Sequence, residues 1–308
     1  MTTAATLTLK TAIGTYPHFA ALKDGSVKPR GADFAFQEMG GIESYRRMTR
    51  NLEFDINEMT IVNYLLAKAY GRQFTAIPVF PSRRFHHDLL YYNANTGVRE
   101  PKDVEGKKVA MRSYTVTPAT QLRGLLHHEY GVDPDKTQWV INDEEHVTEY
   151  KLPPNVDYRP KADLLQAFKD GEIVAAHTSI GRPGPDAPQL RPFFPDADAV
   201  KREYYRKIGF VWTNHVIVVK DSLMAAHPWL APALFEAFKE AKAVALKSSR
   251  PIDLGGVAGV EEADPLPYGL AANRKPLETL VQWSYEQHIL PLVPATEDLF
   301  AKSTLDLT

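Results

Sequence analysis

The sequence predicts an α/β fold, and two observations carry that prediction. Apolar runs of strand length alternate with helix-period segments along most of the chain, the pattern of sheets covered by helices. Two of these alternations are compact junctions. Glu100–Met111 (EPKDVEGKKVAM) sets a Pro-started helical turn before Gly106 and then a strand, and Leu164–Ala176 (LLQAFKDGEIVAA) runs a helix into Asp170-Gly171 and a buried strand. At 308 residues the chain is long enough for one large domain or for two lobes of roughly 150 residues.

In chain order, Thr6–Ile13 is the first predicted strand, followed by a helix at Glu43–Arg50, a strand at Phe54–Met59 and a helix at Ile61–Tyr70. Strands follow at Phe74–Phe80, Leu89–Asn93 and Lys108–Arg112, then a helix at Pro118–Tyr130 that starts on its proline. The strand Gln138–Asn142 precedes the helix Ala162–Lys169 and the strand Ile173–Thr178. The apolar run Val216–Val219 is the last predicted strand. In the helix Ala231–Lys247, Leu234, Phe235, Phe238, Ala241, Val244 and Ala245 recur at the helical period, after Pro228 and Pro232 mark its start. Arg274–His288 closes the helical set. The Pro- and Gly-rich stretch Gly181–Pro195 reads as a loop, and Pro251–Glu262 as a second loop or mobile segment.

Composition narrows the function. Hydrophobic residues make up 44% and charged residues 24%, ample for a buried core. The 36 Lys and Arg against 38 Asp and Glu leave a net charge of -2, so no global field favours nucleic acid or an anionic membrane. The absence of cysteine excludes a catalytic thiol, thiolate metal sites and disulfides. Met1–Gly14 has neither the basic start nor the apolar run of a secretory leader, and no stretch approaches a membrane span, so a cytoplasmic location is expected. The nucleophile-elbow, phosphate-loop and dinucleotide fingerprints are all missing, and no HExxH-type metal spacing occurs.

The densest chemistry lies in Ala76–His87 (AIPVFPSRRFHH), where a strand end presents Ser82, Arg83, Arg84, His86 and His87. Arginine offers a planar fork of donors for a carboxylate, and histidine titrates near neutral pH, so the cluster suits an anionic organic acid. A solvated basic turn is the plain alternative. Glu58 ends a predicted strand, where it can orient a histidine, accept a phenolic proton or cap the next helix. His215 precedes the run VIVV, and Tyr114, Thr115 and Thr117 stand before a helix N-terminus, where free amides favour anions. His127 and His128 read as surface residues. A site in which His86, His87, His177, His215 and Glu58 converge on a divalent metal stays open as an alternative.

The two junctions together resemble the second lobe of the type II periplasmic-binding-protein fold. In that resemblance two lobes flank a cleft, with 1–92 and 211–308 forming the first and 93–210 the second. Ala76–His87 further resembles the signature of the 4,5-dihydroxyphthalate decarboxylases. The similarity continues through Glu53–Thr60 (EFDINEMT), Leu152–Val156 (LPPNV), Phe194–Tyr205 (FFPDADAVKREYY), Asn214–Val218 (NHVIV) and Asp264–Leu270 (DPLPYGL). The chain departs from the family pattern at His86, where the family has Arg. It departs again at Asn142-Asp143 with Glu144, Glu145 and His146, and at His177–Ile180 with Arg182 displaced.

The resemblance implies a carboxy-lyase that works on a hydroxylated aromatic dicarboxylate by ring protonation and loss of carbon dioxide, giving a protocatechuate-like product. No organic cofactor is expected; the partner is a small aromatic carboxylate, with homo-oligomerisation open. Arg83 and Arg84 would bind the carboxylate with Ser82, Tyr114, Thr115, Thr117, His177 and Arg182 around the ring. His87, then His215, is the preferred proton donor, with Glu58 and His86 assisting. The rival reading is a non-catalytic solute-binding protein for an aromatic or other organic acid.

Overall fold

A computed structural model of the protein describes residues 6–247, 257–260, 262 and 264–308. The chain builds two mixed sheets. The first takes β1 (Leu7–Ala12), then a short helix α1 (Ala20–Lys23), β2 (Ala32–Phe36) and the helix α2 (Gly41–Asn51). Next come β3 (Ile56–Thr60), α3 (Ile61–Ala69) and β4 (Phe74–Ile77). The chain then enters the second sheet through β5 (Leu90–Asn93) and β6 (Lys108–Ala110). It continues through α4 (Thr117–Tyr130), β7 (Gln138–Ile141), β8 (Val156–Tyr158), α5 (Leu164–Lys169), β9 (Ala175–His177), β10 (Leu190–Pro192) and α6 (Ala197–Ile208). It returns to the first sheet as β11 (His215–Lys220), followed by α7 (Asp221–Ala226), α8 (Leu230–Leu246) and α9 (Leu270–Glu286).

The strand orders are β2-β1-β3-β11-β4 and β10-β5-β9-β6-β7-β8. In the first sheet β1 is parallel to β2 and β3, while the returning β11 inserts antiparallel between β3 and β4. Helices cover both faces of this sheet, so all five residues of β3 are buried and its sequence, INEMT, shows no alternation. The second sheet takes up the chain at Leu90, slightly ahead of the boundary read from the sequence.

One core cluster runs through both sheets. It contains Phe54 just ahead of β3, Met59 within it, Val109 and Trp139 in β6 and β7, and Trp212 and Trp283. Helices α3, α4 and α9 carry this shared core. Gly124 in α4 lies against the ring of Trp283; a Cβ there would come within 2.3 Å of two ring carbons.

All eight predicted strands and all six predicted helices are present, with ends shifted by a few residues. Sequence patterns missed β2, β8, β10, α1, α6 and α7. The three-residue strands β8 and β10 are too short to show a period. In α6 only Tyr204 is buried, so its apolar stripe is too thin to read. Gly181–Pro195 is therefore not loop throughout, because β10 pairs within it against β5. Of the second expected loop, residues 251–256 and 261 lie outside the described residues. Among the described residues no helix is long and apolar enough to cross a membrane.

Candidate functional site

The site begins with the register of β11. His215 pairs with Thr60 and Ile217 with Glu58, so His215 and Glu58 are diagonal neighbours on one face of the sheet. Their side chains meet: Nδ1 of His215 lies 2.5 Å from Oε1 of Glu58. The Tyr16 hydroxyl donates to the same oxygen at 2.6 Å, and the Gly14 amide donates to Oε2 at 2.7 Å. Glycine is needed at position 14, because a Cβ there would sit 2.6 Å from the Tyr16 ring and 3.0 Å from Glu58 Oε2.

Glu58 is 2% exposed. Burial pushes its carboxyl up, but the hydrogen bond and charge of His215, with Tyr16 and Gly14, outweigh it and hold the group below the usual carboxylate range. Burial, then the adjacent Glu58 charge, raises the Tyr16 phenol. With Nδ1 donating to Glu58, His215 keeps Nε2 for a ligand, and its side chain is 20% exposed. A cavity of about 160 Å³ opens beside this group, lined by Gly14, Tyr16, Gln37, Ser44, Tyr45 and Glu58. The Tyr45 ring bridges toward the second sheet, with its centroid 5.8 Å from His215 and 6.4 Å from His146.

The second sheet meets this face through charge. Arg46 of α2 and Arg112 beyond β6 both bind Asp143, at 3.0 and 2.7 Å. Arg50 reaches Glu144 at 3.2 Å and the carbonyl of Glu145 at 2.9 Å. The acidic run that departs from the family pattern is thus a set of partners for arginines from both sheets.

The other residues named from the sequence are distributed unevenly. Arg83, expected to clamp a ligand, is 6% exposed; its Nη2 bonds Glu262 at 3.0 Å and its Nη1 the Pro265 carbonyl at 2.9 Å, while its buried Nε has no partner among the described residues. His87, the preferred proton donor from the sequence, is likewise engaged inside the fold. It is fully buried, stacks on Trp212 with 6.0 Å between centroids, and contacts Phe85, Phe194 and Tyr204. Burial, then Lys201, lowers its pKa to about 4, so the ring is neutral at physiological pH.

Tyr114, Thr115 and Thr117 are also already engaged. The amides of Tyr114 and Thr115 and the Thr115 hydroxyl all bind the Glu145 carboxylate, and Thr117 Oγ1 accepts from the Val62 amide at 2.9 Å. An internal carboxylate is therefore held by the turn just ahead of α4. Arg84 is exposed and pairs with Asp88 at 2.9 Å. Ser82 accepts the Asn214 amide through its carbonyl, and Arg182 is exposed with no ion pair among the described residues. His86 and His177 do come together, 6.4 Å between centroids, with His86 Nε2 3.1 Å from Asn214 Oδ1. Among the described residues no three His, Asp or Glu side chains converge as a metal cluster.

Sequence reasoning missed Tyr16, Tyr45 and Arg112, and named His146 only within a departing loop. Gly14 at the end of β1 is the one local signal for Tyr16, since a glycine there permits a close approach.

Residues 63–250, more than half of the chain, match the family model described as NMT1/THI5 like. The chain is 34% identical to a 4,5-dihydroxyphthalate decarboxylase of Comamonas testosteroni over 254 residues, 78% of this chain and 76% of that one. It is 27% identical to one of Pseudomonas putida over 66% of this chain and 83% of that one. Among solved structures, it is similar to the alkanesulfonate-binding protein SsuA of Xanthomonas axonopodis pv. citri, with a TM-score of 0.54 and 13% identity over 97% of this chain and 99% of that one. The periplasmic aliphatic sulphonate binding protein SsuA of Escherichia coli gives a TM-score of 0.53 at 13% identity, over 97% of this chain and 92% of that one. These two likenesses show a binding-protein-like fold.

Proposed function

The chain belongs to the NMT1/THI5-like family and to the 4,5-dihydroxyphthalate decarboxylases, and on that premise we propose that it is a carboxy-lyase for a hydroxylated aromatic dicarboxylate, with His215 as its acid–base group. The observation that carries the site assignment is the contact of His215 with a buried, ionised Glu58. A carboxylate behind Nδ1 fixes the tautomer and ring orientation and stabilises the imidazolium. It leaves Nε2 to exchange a proton with the ligand. Tyr16 holds Glu58 in place from the other side.

Loss of carbon dioxide leaves an electron pair on the ring carbon, so a proton must arrive there. Ionisation of a hydroxyl para to the departing carboxylate lets that carbon accept the proton from His215 first. The dearomatised intermediate then breaks its C–CO2 bond, and the released pair restores the aromatic ring. A general acid of this kind contributes roughly 10²–10⁴-fold. The chemistry proposed here runs without an organic cofactor, in the cytoplasm.

The solute-binding alternative shares the fold but leaves a Tyr–Glu–His relay without a purpose, because holding a ligand requires no oriented acid. Carbon dioxide release from 4,5-dihydroxyphthalate, with a one-carboxylate product, tests the reading. Stoichiometric binding of that compound with no release would favour the receptor.

A further inference from the structure

This chemistry needs a cation for the carboxylate that stays on the ring, and both terminal nitrogens of Arg83 are engaged inside the fold. We infer that Arg112 and His177, on neighbouring strand ends of the second sheet, bind that retained carboxylate; the identity of the ligand rests on the decarboxylase reading. Strands β6 and β9 are parallel, with Ala110 opposite Ala176, so both residues leave the sheet at the same end. Ser179 ties the two loops together: its Oγ accepts the Arg112 amide at 3.1 Å, and its own amide donates to His177 Nδ1 at 2.9 Å.

That last bond fixes the chemistry of His177. Burial, then the charges of Arg84 and Arg112, lowers its pKa to about 4, so the ring is neutral. With Nδ1 accepting, its proton is on Nε2. His177 is 5% exposed, and Nε2 has no hydrogen-bond partner among the described residues. A buried donor left unpaired is costly, and a carboxylate oxygen satisfies it. The Arg112 side chain is 22% exposed and bonds Asp143 through Nη1, while Nε and Nη2 make no hydrogen bond among the described residues. A guanidinium edge is the shape that takes a carboxylate.

The location fits a ligand that spans two poles. Tyr45, whose ring lies 5.8 Å from His215, is raised by burial and by Glu58 and lowered by Arg112, so it lies within the fields of both charges. Arg112 and Arg46, the residue after Tyr45, bond the same Asp143, which ties Arg112 to the helix segment that carries Tyr45.

Phthalate, which has both carboxylates and no hydroxyl, and catechol, which has the hydroxyls and no carboxylate, separate the poles by calorimetry. The parent should bind phthalate. Arg112→Gln should weaken it about tenfold or more, and Arg112→Lys by less, with catechol binding unchanged in both. His177→Phe should also weaken phthalate. A parent that does not bind phthalate, or an Arg112→Gln or Arg112→Lys protein that is folded by circular dichroism and binds it within twofold of the parent, overturns the clamp. Normal carbon dioxide release alongside such a result would sink the clamp alone. Arg112-dependent phthalate binding without carbon dioxide release from 4,5-dihydroxyphthalate would sink the decarboxylase reading alone.

Discussion

Glu58 is an ionised carboxylate in the middle of a sheet, a placement that costs several kcal/mol unless donors surround it. Three donors do so, from Gly14, Tyr16 and His215. His215→Asn keeps hydrogen-bonding capacity and removes the exchangeable proton, so kcat should fall about 10²-fold or more. In deuterated water the parent should place deuterium on the vacated ring carbon, and His215→Asn should do so at the same reduced rate. Glu58→Gln should lose kcat comparably, because the imidazolium then lacks its counter-charge. His87→Asn disturbs only an aromatic cage, so its loss should appear in the melting temperature ahead of kcat. Turnover by His215→Asn at the parental rate would remove histidine from the reaction.

Among the elements, α4 carries the most structural constraint. Its N-terminal approach is closed by Glu145, whose carboxyl burial pushes up against the hydrogen bonds it receives. Its middle meets α9 at Gly124 and Trp283, where no Cβ fits. Gly124→Ala gains helix propensity, worth up to about 1 kcal/mol, but must move a 6% exposed tryptophan in a packed core. Overpacking of that kind costs roughly 1–3 kcal/mol, so the urea midpoint should drop. An unchanged or higher midpoint would show that the α4–α9 contact yields easily.

Across the whole molecule, the histidines set the acid limit. His18, His87, His146 and His177 are buried with pKa values lowered to about 4, and His86 to about 3, with burial the largest cause each time. The ordinary value is 6.5, so below it the unfolded chain takes up protons that the folded chain refuses. The stability these groups contribute is complete above pH 6.5 and is lost as pH falls toward 4. Each costs about 1.4 kcal/mol per pH unit across that window. Urea midpoints should therefore fall steeply from pH 6.5 to 5, before most carboxylates titrate. A flat profile down to pH 5 would mean that these rings protonate within the folded state.

The α/β class and the strand positions follow from local chemistry, because apolar runs and helical periods are written in neighbouring residues. Glu58 and His215 were legible as candidates for the same reason: each belongs to a strand-length segment that the sequence marks as apolar. That they form one group depends on β11 returning between β3 and β4, which joins residues 157 positions apart. The same kind of distance engages Arg83, whose partner Glu262 lies 179 positions away, and His87, whose cage includes Trp212. A motif records which side chains a strand end presents. Whether a guanidinium or an imidazole stays free for a ligand depends on which distant carboxylate or ring the folded chain brings against it, and only the tertiary structure decides that.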